Sequence, residues 1–519
     1  MESSSSSSTT AIAVSGVDSA IMRSTLIMTA PASASTMTTT KLSDTPTGAE
    51  TATQNGTTYT TPKDQGGTDK YKHIFAIHAK ARPSTLSHDS IATPSFIGFR
   101  NLMVLVLIVG NLRLVIENFM KYGVLIQLSG AEFRKDDVQM GLLLYCLIPV
   151  HLFIGYIIEL VASMHARSAQ AHNKKHDNKD PKLRAAWKWI AFAHAVNATL
   201  SLSVASGIVY FKIHHPLIGS LCQFHAAITW LKQLSYAFTC RDLRDAFLEG
   251  TPTPEIYRSC AYPKNITLSN LCYFWWAPTL VYQPVYPRSP EFRWNFFLKR
   301  VGETIGLSIA IWFLTVQYAA PVLTNSLAAL GSMNLPIILE RLMKLSTVSL
   351  VIWLCGFFAL FQSFLNALAE LLRFGDREFY TDWWNSISVG RYWRTWNKPV
   401  NSFMRRHIYT PLLARGWSQA SASLVVFTFS AVMHELLVGV PTHNIIGVAF
   451  AGMMFQVPLV AMTAPLEKMR GQASALGNSI FWISFCLVGQ PLCIMSYFLS
   501  WHIKFGSMGK GLPPQGQTV

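Results

Sequence analysis

Hydrophobic and polar positions divide the 519-residue chain into two kinds of material. Residues 1 to about 95 contain no long apolar run and are rich in Ser, Thr and Ala, beginning with Ser3–Ser8. Such a segment cannot bury enough apolar surface to offset the entropy of ordering it, so a disordered tail is expected. Only Tyr71–Ala81 is more hydrophobic. The start lacks a basic patch, an apolar core and a cleavage site in series, so no signal peptide is read. Beyond the tail, long apolar stretches recur near 102–127, 140–163, 186–211, 217–238, 303–323, 345–368, 420–440, 444–463 and 478–500. About 20 such residues in a helix cross the hydrocarbon of a bilayer. The pattern predicts an all-α polytopic membrane protein of about nine transmembrane helices, with a variable tail at 1–95 and a membrane-embedded core at 96–519. Lys188, His194, Asn197 and His225 interrupt the third and fourth stretches.

Composition sharpens this. The chain is 50% hydrophobic and 13% charged, against about 25% charged in an average soluble domain. A soluble enzyme, a coiled coil and a wholly disordered protein are excluded. The net charge of +16 would by itself suggest a nucleic-acid partner. In so apolar a chain it reads instead as basic cytoplasmic loops, and no nucleic acid is expected. The tail adds nothing to it, since seven basic and seven acidic residues precede Thr93. With the N-terminus in the cytoplasm, the loops after the second, fourth, sixth and eighth spans are cytoplasmic. They hold Arg167–Arg184, Arg241–Arg300 and Arg373–Arg415, the basic-rich segments, which puts the C-terminus on the lumenal side. Two of these loops, 239–302 and 369–419, mix Trp, Tyr and Phe with Arg and Lys. They suit amphipathic interfacial helices or an anionic ligand. The eight cysteines show no CxxC pair, and several lie in apolar runs. They read as small buried hydrophobes, with no zinc site or disulfide framework.

Chemistry enters with His434 in SAVMHELLVGV, followed by Glu435. An ionisable group within a span is costly and faces a protein interior or a wet cavity. Histidine is also suited to act as a general base near neutral pH. The bland alternative is a histidine that only bonds a neighbouring helix. Ser430 lies one turn earlier on the same face, and Gln456 and Gln490 lie near the middle of the last two spans. These polar groups are either interhelical glue or the lining of a chamber around His434. A second signal is FYTDWWN from Phe379, with Tyr380, Asp382, Trp383, Trp384 and Asn385, continued by RYWRTWNKPVN with Trp393, Trp396 and Asn397. An aromatic membrane belt is one reading. The interleaved Asp382, Asn385 and Asn397 favour a binding surface. A third is the Pro-rich stretch Asn270–Pro290, which holds Phe274, Pro278 and Tyr282 and predicts an ordered loop or broken helix. Some patterns are decoys. HNKKHD at His172 sits in a solvated charge run, no GxSxG elbow exists, and FGSMGKG near Gly506 lacks phosphate-loop spacing. His151, His194 and His225 are read as packing residues. The sequon at Asn265 falls on the cytoplasmic side and is expected to stay unmodified.

These motifs carry a resemblance. FYTDWWN resembles the signature of the sterol and diacylglycerol branch of the membrane-bound O-acyltransferases. LLRFGDREFYTDWWNS, HELLVGVP, GMMFQVPL and LVGQP are more similar to its diacylglycerol members than to its sterol members. So are YFWWAPTLVYQPVYPRSP and GFRNLMVLVLIVGNLRLVIENFMKYG. The resemblance covers about 95 to 500. It implies a nine-span fold in the endoplasmic reticulum membrane and a homodimer or homotetramer. It also implies transfer of an acyl group from acyl-CoA, as co-substrate, to diacylglycerol, without cofactor or metal. It places the family's histidine on His434, the WNxP asparagine on Asn397 and the GQP glutamine on Gln490, with Glu435 beside them. Substrate contact is expected from Trp393, Trp396, Tyr409, Ser430, Gln456 and the aromatic motifs. Asn401 replaces a histidine of the animal members, and Gln419 and Ser423 replace basic residues. Arg405, Arg406 and Arg415 are the cations left to meet CoA phosphates. Sterol or long-chain alcohol acylation, and a lipid transporter, are the competing functions.

Overall fold

The computed structural model describes residues 97–125, 134–172, 181–331, 334–468 and 472–506. The tail, Tyr71–Ala81, most of HNKKHD and all but the start of FGSMGKG lie outside them. The chain divides at Arg100, and the helical core is the unit from Asn101 onward. Apart from one isolated bridge pairing Arg288 with Phe374, the described residues hold no strand. The helices are α1 (Ile97–Tyr122), α2 (Lys135–Leu147), α3 (Val150–His172), α4 (Pro181–Lys212), α5 (Pro216–Glu249), α6 (Leu268–Trp276), α7 (Trp294–Leu314), α8 (Ala320–Gly331), α9 (Leu335–Phe357), α10 (Leu365–Leu371), α11 (Val389–Thr395), α12 (Lys398–Met404), α13 (Thr410–Ala414), α14 (Gln419–Gly439), α15 (Val448–Met454), α16 (Gln456–Thr463), α17 (Gln472–Trp482) and α18 (Gln490–Gly506).

Among the described residues, seven stretches are long and apolar enough to cross a membrane: Lys135–Ala171, Ala185–Lys212, Trp294–Leu327, Leu335–Leu371, Gln419–Gly439, Val448–Glu467 and Leu476–Lys504. They fall on seven of the nine expected spans. The other two expected spans fall on α1 and α5, which lie outside that set. The reason for α5 is physical. It packs against α2, α3, α4 and α14, and it buries Gln223, Thr229, Lys232, Gln233, Ser235 and Arg244. A helix shielded by its neighbours can be polar, because its side chains bond protein rather than hydrocarbon.

The structure revises the reading of two histidines as packing residues. His194 Nε2 lies 3.0 Å from Glu159 Oε1, and Arg244 Nη1 donates to Glu159 Oε2 at 3.0 Å. The Arg244 guanidinium stands over the Trp187 ring. His151 Nδ1 pairs with Asn197 Oδ1 at 2.8 Å. These bonds fasten α3, α4 and α5 together. Their partners are distant in the chain, so adjacency could not reveal them.

Among the described residues four helical runs contain a π turn, at Thr315–Ala319, Phe358–Phe364, Arg405–Tyr409 and Ile483–Gly489. Such turns widen a helix by one residue and collect at functional sites. Three short helices between the spans, α6, α11 and α12, start on side-chain caps. Thr267, Ser388 and Asn397 accept from the backbone N–H of Asn270, Arg391 and Val400, and Ser418 does the same for Ser421 ahead of α14. An aromatic core joins α9, the 379–396 segment and α17, centred on Phe357, Phe361, Trp383, Tyr392 and Phe481.

Glu159 and Arg244 are both buried, and removing one partner leaves the other charge uncompensated, at a cost of about 3–5 kcal/mol. Arg244→Ala is therefore expected to lower the thermal midpoint of the detergent-solubilised protein by many degrees. A wild-type midpoint would show that the pair contributes nothing.

Candidate active site

His434 sits on α14, with Ala431 fully buried on the turn below it. Small residues let neighbouring helices approach closely. Its Nδ1 is 2.7 Å from the carbonyl oxygen of Ser430. A carbonyl can only accept, so Nδ1 carries the proton. In the neutral ring Nε2 then holds a lone pair. Ser430 Oγ is a more distant 3.4 Å from the same nitrogen. Ser430 thus acts mainly through its backbone, setting the tautomer.

Glu435 does something else. Its Oε1 accepts from Gly447 N at 2.9 Å, and its Oε2 accepts from Phe450 N at 3.1 Å and from the Tyr497 hydroxyl at 2.7 Å. Consecutive helical residues point about 100° apart. The carboxylate accordingly faces the start of α15 and α18 rather than the imidazole. Gly447 adopts φ +76°, a conformation that suits glycine. At Gly439 a Cβ would lie 3.1 Å from Glu435 Oε1 and 3.0 Å from the Asn444 carbonyl. The carboxylate ties α14 to α15 and α18. Tyr497 was missed in the sequence; the only signal was a phenol inside an apolar run.

Asn397 caps α12. Its Oδ1 accepts from Val400 N at 3.2 Å, which leaves the Nδ2 donor for another acceptor. Trp396 stacks on Tyr392 at 5.8 Å, and Trp393 meets Phe427 of α14 edge-on at 6.2 Å. Phe427 lies two turns, about 10 Å, before His434 along α14. Trp353 of α9 touches both Trp396 and Phe485, and Phe485 lies in the π turn that ends just before Gln490. Gln490 Oε1 is buried with no hydrogen-bond partner. Aromatic contacts thus link α11, α9 and the Gln490 turn, and Trp393 reaches α14. Gln456 is spent locally, its Nε2 donating to Gly452 O at 3.2 Å.

FYTDWWN is partly core: it turns two of its rings inward and leaves Tyr380, Asp382 and Trp384 half-buried. Phe379 and Trp383 are 3% and 1% exposed, and Trp383 packs edge-on against Trp353 at 5.1 Å. Side-chain bonds made by the motif and to its backbone fix its course. Tyr380 donates to Gln362 Oε1 at 2.7 Å, Asp382 pairs with Arg391 at 3.4 Å, and Asn478 Nδ2 donates to the carbonyls of Trp384 and Ser386. Asn385 is exposed. The Phe379 carbonyl accepts from Lys398 N at 3.0 Å, one residue past Asn397, so the motif positions that asparagine from behind. Phe274, Pro278 and Tyr282 are buried as well. The expected loop exists as α6 followed by irregular chain. Asn265 is buried, with Nδ2 on the Tyr282 hydroxyl. Asn401 and Tyr409 are half-buried, one and three turns beyond Asn397, and Arg405, Arg406 and Arg415 are exposed. Among the described residues no group of His, Cys, Asp and Glu could hold a metal ion.

The membrane-bound O-acyltransferase family matches this chain over residues 141–498. The chain belongs to that family. The matched range contains His434, Glu435, Asn397, Gln490 and FYTDWWN. Among curated relatives, diacylglycerol O-acyltransferase 1A of Glycine max is 37% identical over 433 residues, 82% of each chain. Diacylglycerol O-acyltransferase 1-2 of Oryza sativa subsp. japonica is 38% identical, covering 82% of this chain and 86% of its own length. Diacylglycerol O-acyltransferase 1 of Arabidopsis thaliana is 37% identical, covering 84% and 79%.

The roles of Glu435 and Tyr497 separate experimentally. Glu435→Ala in this acyltransferase strands two backbone amides and a phenol, so a lower thermal midpoint and at least a tenfold loss of rate are expected. Tyr497→Phe removes one bond of the three and is expected to cost about fivefold or less. A Glu435→Ala protein with the wild-type midpoint would refute the structural tie.

Proposed function

We propose that this acyltransferase moves the acyl group of acyl-CoA onto the free hydroxyl of a 1,2-diacylglycerol, giving triacylglycerol and CoA. The observation that carries the mechanism is the His434 tautomer, fixed by the Ser430 carbonyl. Nε2 takes the hydroxyl proton as the oxygen attacks the thioester carbon. The oxyanion that forms accepts from Asn397 Nδ2, the donor left over after Oδ1 caps α12. The C–S bond breaks, and the thiolate recovers the proton from His434. A thiol ionises near pH 8.5, so the leaving group needs no covalent intermediate. Gln490, with its buried amide oxygen unpartnered, orients the thioester or the incoming hydroxyl.

Charge and hydropathy supply the setting. Exposed Arg405, Arg406 and Arg415 meet the CoA phosphates from the cytoplasmic side. The N-terminus lies in the cytoplasm and the C-terminus in the lumen of the endoplasmic reticulum. The bilayer supplies diacylglycerol laterally, and the chain works as a homodimer or homotetramer.

His434→Ala, at normal expression, is expected to lower triacylglycerol synthesis from labelled acyl-CoA by about 10²–10⁴-fold. Full activity would sink the base assignment. For Asn397 the informative change is to Asp, which keeps the capping oxygen and removes the amide donor. A loss of about 10²–10³-fold without loss of thermal stability is expected. An unchanged rate would reduce Asn397 to a helix cap.

A further inference from the structure

Lys232 and Ser235 lie one turn apart on α5, 4% and 0% exposed. The Lys232 Nζ donates to the carbonyls of Phe274, Trp275 and Ala277 at 2.9, 2.8 and 2.7 Å. All three ammonium donors are used, and they close the end of α6. Ser235 Oγ accepts from Tyr282 N at 2.8 Å and lies 2.7 Å from His407 Nε2. Burial pushes the His407 pKa down to about 4, so its ring is neutral and its Nε2 can accept. The Tyr282 amide fills one lone pair of the serine oxygen, and the short contact with the ring nitrogen holds the hydroxyl on its other side.

A serine beside an imidazole has the form of a nucleophile and its base. Here the oxygen is sealed between a peptide N–H and the ring, out of reach of a substrate carbon. The pair holds the chain in place. His407 lies in the π turn Arg405–Tyr409, with the rings of Phe403 and Phe238 at 4.9 and 5.7 Å. Its two predecessors, Arg405 and Arg406, are exposed. Trp230, two residues before Lys232, stacks on Phe429 of α14 at 5.9 Å. Lys232 and Ser235 on one face of α5 thus register the 277–290 loop and the arginine turn, and Trp230 on another face meets the helix of His434.

We infer that the Ser235–His407 bond is a lock that presents Arg405 and Arg406 to the phosphates of the acyl-CoA donor, which makes Ser235 and His407 positioning residues of the donor side. The inference rests on the acyl-CoA reading above. Arginine pairs with phosphate through two parallel bonds, so its value depends on fixed orientation. A turn freed from α5 keeps the charge and loses the orientation.

The test uses the purified full chain. Ser235→Ala is expected to raise KM for acyl-CoA about fivefold, with kcat and the KM for diacylglycerol within about twofold of wild type. His407→Gln places an acceptor near the Nε2 position and is expected to behave as wild type. His407→Asn falls short and is expected to match Ser235→Ala, and the double variant should be no worse than either single one. Equilibrium binding of CoA itself should weaken in parallel. A Ser235→Ala enzyme with unchanged KM for acyl-CoA and unchanged CoA binding, or one that loses kcat alone, would overturn the lock. A wild-type protein that neither binds CoA nor transfers acyl groups would overturn the functional reading instead. If His407→Asn fails to fold, Ser235→Ala decides, since it deletes a single oxygen.

Discussion

The bond from His434 Nδ1 to the carbonyl of Ser430 sets what the site can do. It is made within one helix, between residues four apart, and asks nothing of the rest of the fold. It leaves the far nitrogen of a neutral imidazole as the base. A histidine held the other way round would present an N–H to the acceptor hydroxyl and could not take its proton. The surrounding helices are then required to bring donor and acceptor to that nitrogen and to keep bulk water away from it.

Three further features serve that end. Glu435 places its carboxylate on the Gly447 and Phe450 amides and on Tyr497, so the helix of the base is fixed to α15 and α18. FYTDWWN fills the core behind Asn397 and bonds the backbone next to it. The buried polar face of α5 holds both long interhelical loops through Lys232 and Ser235. Glu435 and Lys232 are buried ionisable groups with several hydrogen-bond partners each, the arrangement that low-dielectric surroundings favour. Two of the π turns lie beside candidate site residues. One carries the arginine pair, and another ends just before Gln490.

Much of this architecture was legible in the sequence. Seven spans could be read because a bilayer demands about 20 apolar residues in a row, and His434 stood out because ionisable groups there are rare. The fourth expected span, on α5, shows the limit of that logic. Hydropathy measures fitness for lipid, and α5 turns a polar face to the protein around it. The partners of Glu435 were hidden because they lie 12, 15 and 62 residues away, and those of Glu159 because Arg244 is 85 away. FYTDWWN was legible only in part. Polar residues among aromatic ones resemble a wet surface in one dimension. In three dimensions Tyr380 and Asp382 bond within the fold, Asn385 faces outward, and the Phe379 and Trp383 rings turn inward. Tautomers, caps and π turns belong to backbone geometry and left no residue pattern to read.

The central claim is that a single histidine base, oriented by its own helix, acylates a diacylglycerol hydroxyl. The most direct measurement offers purified protein one labelled acyl-CoA together with equal amounts of diacylglycerol, a sterol and a long-chain alcohol. Labelled triacylglycerol is expected as the dominant product, with one free CoA released per ester formed. Sterol ester or wax as the dominant product would contradict the acceptor assignment, and no ester at all would contradict the acyl-transfer mechanism as a whole.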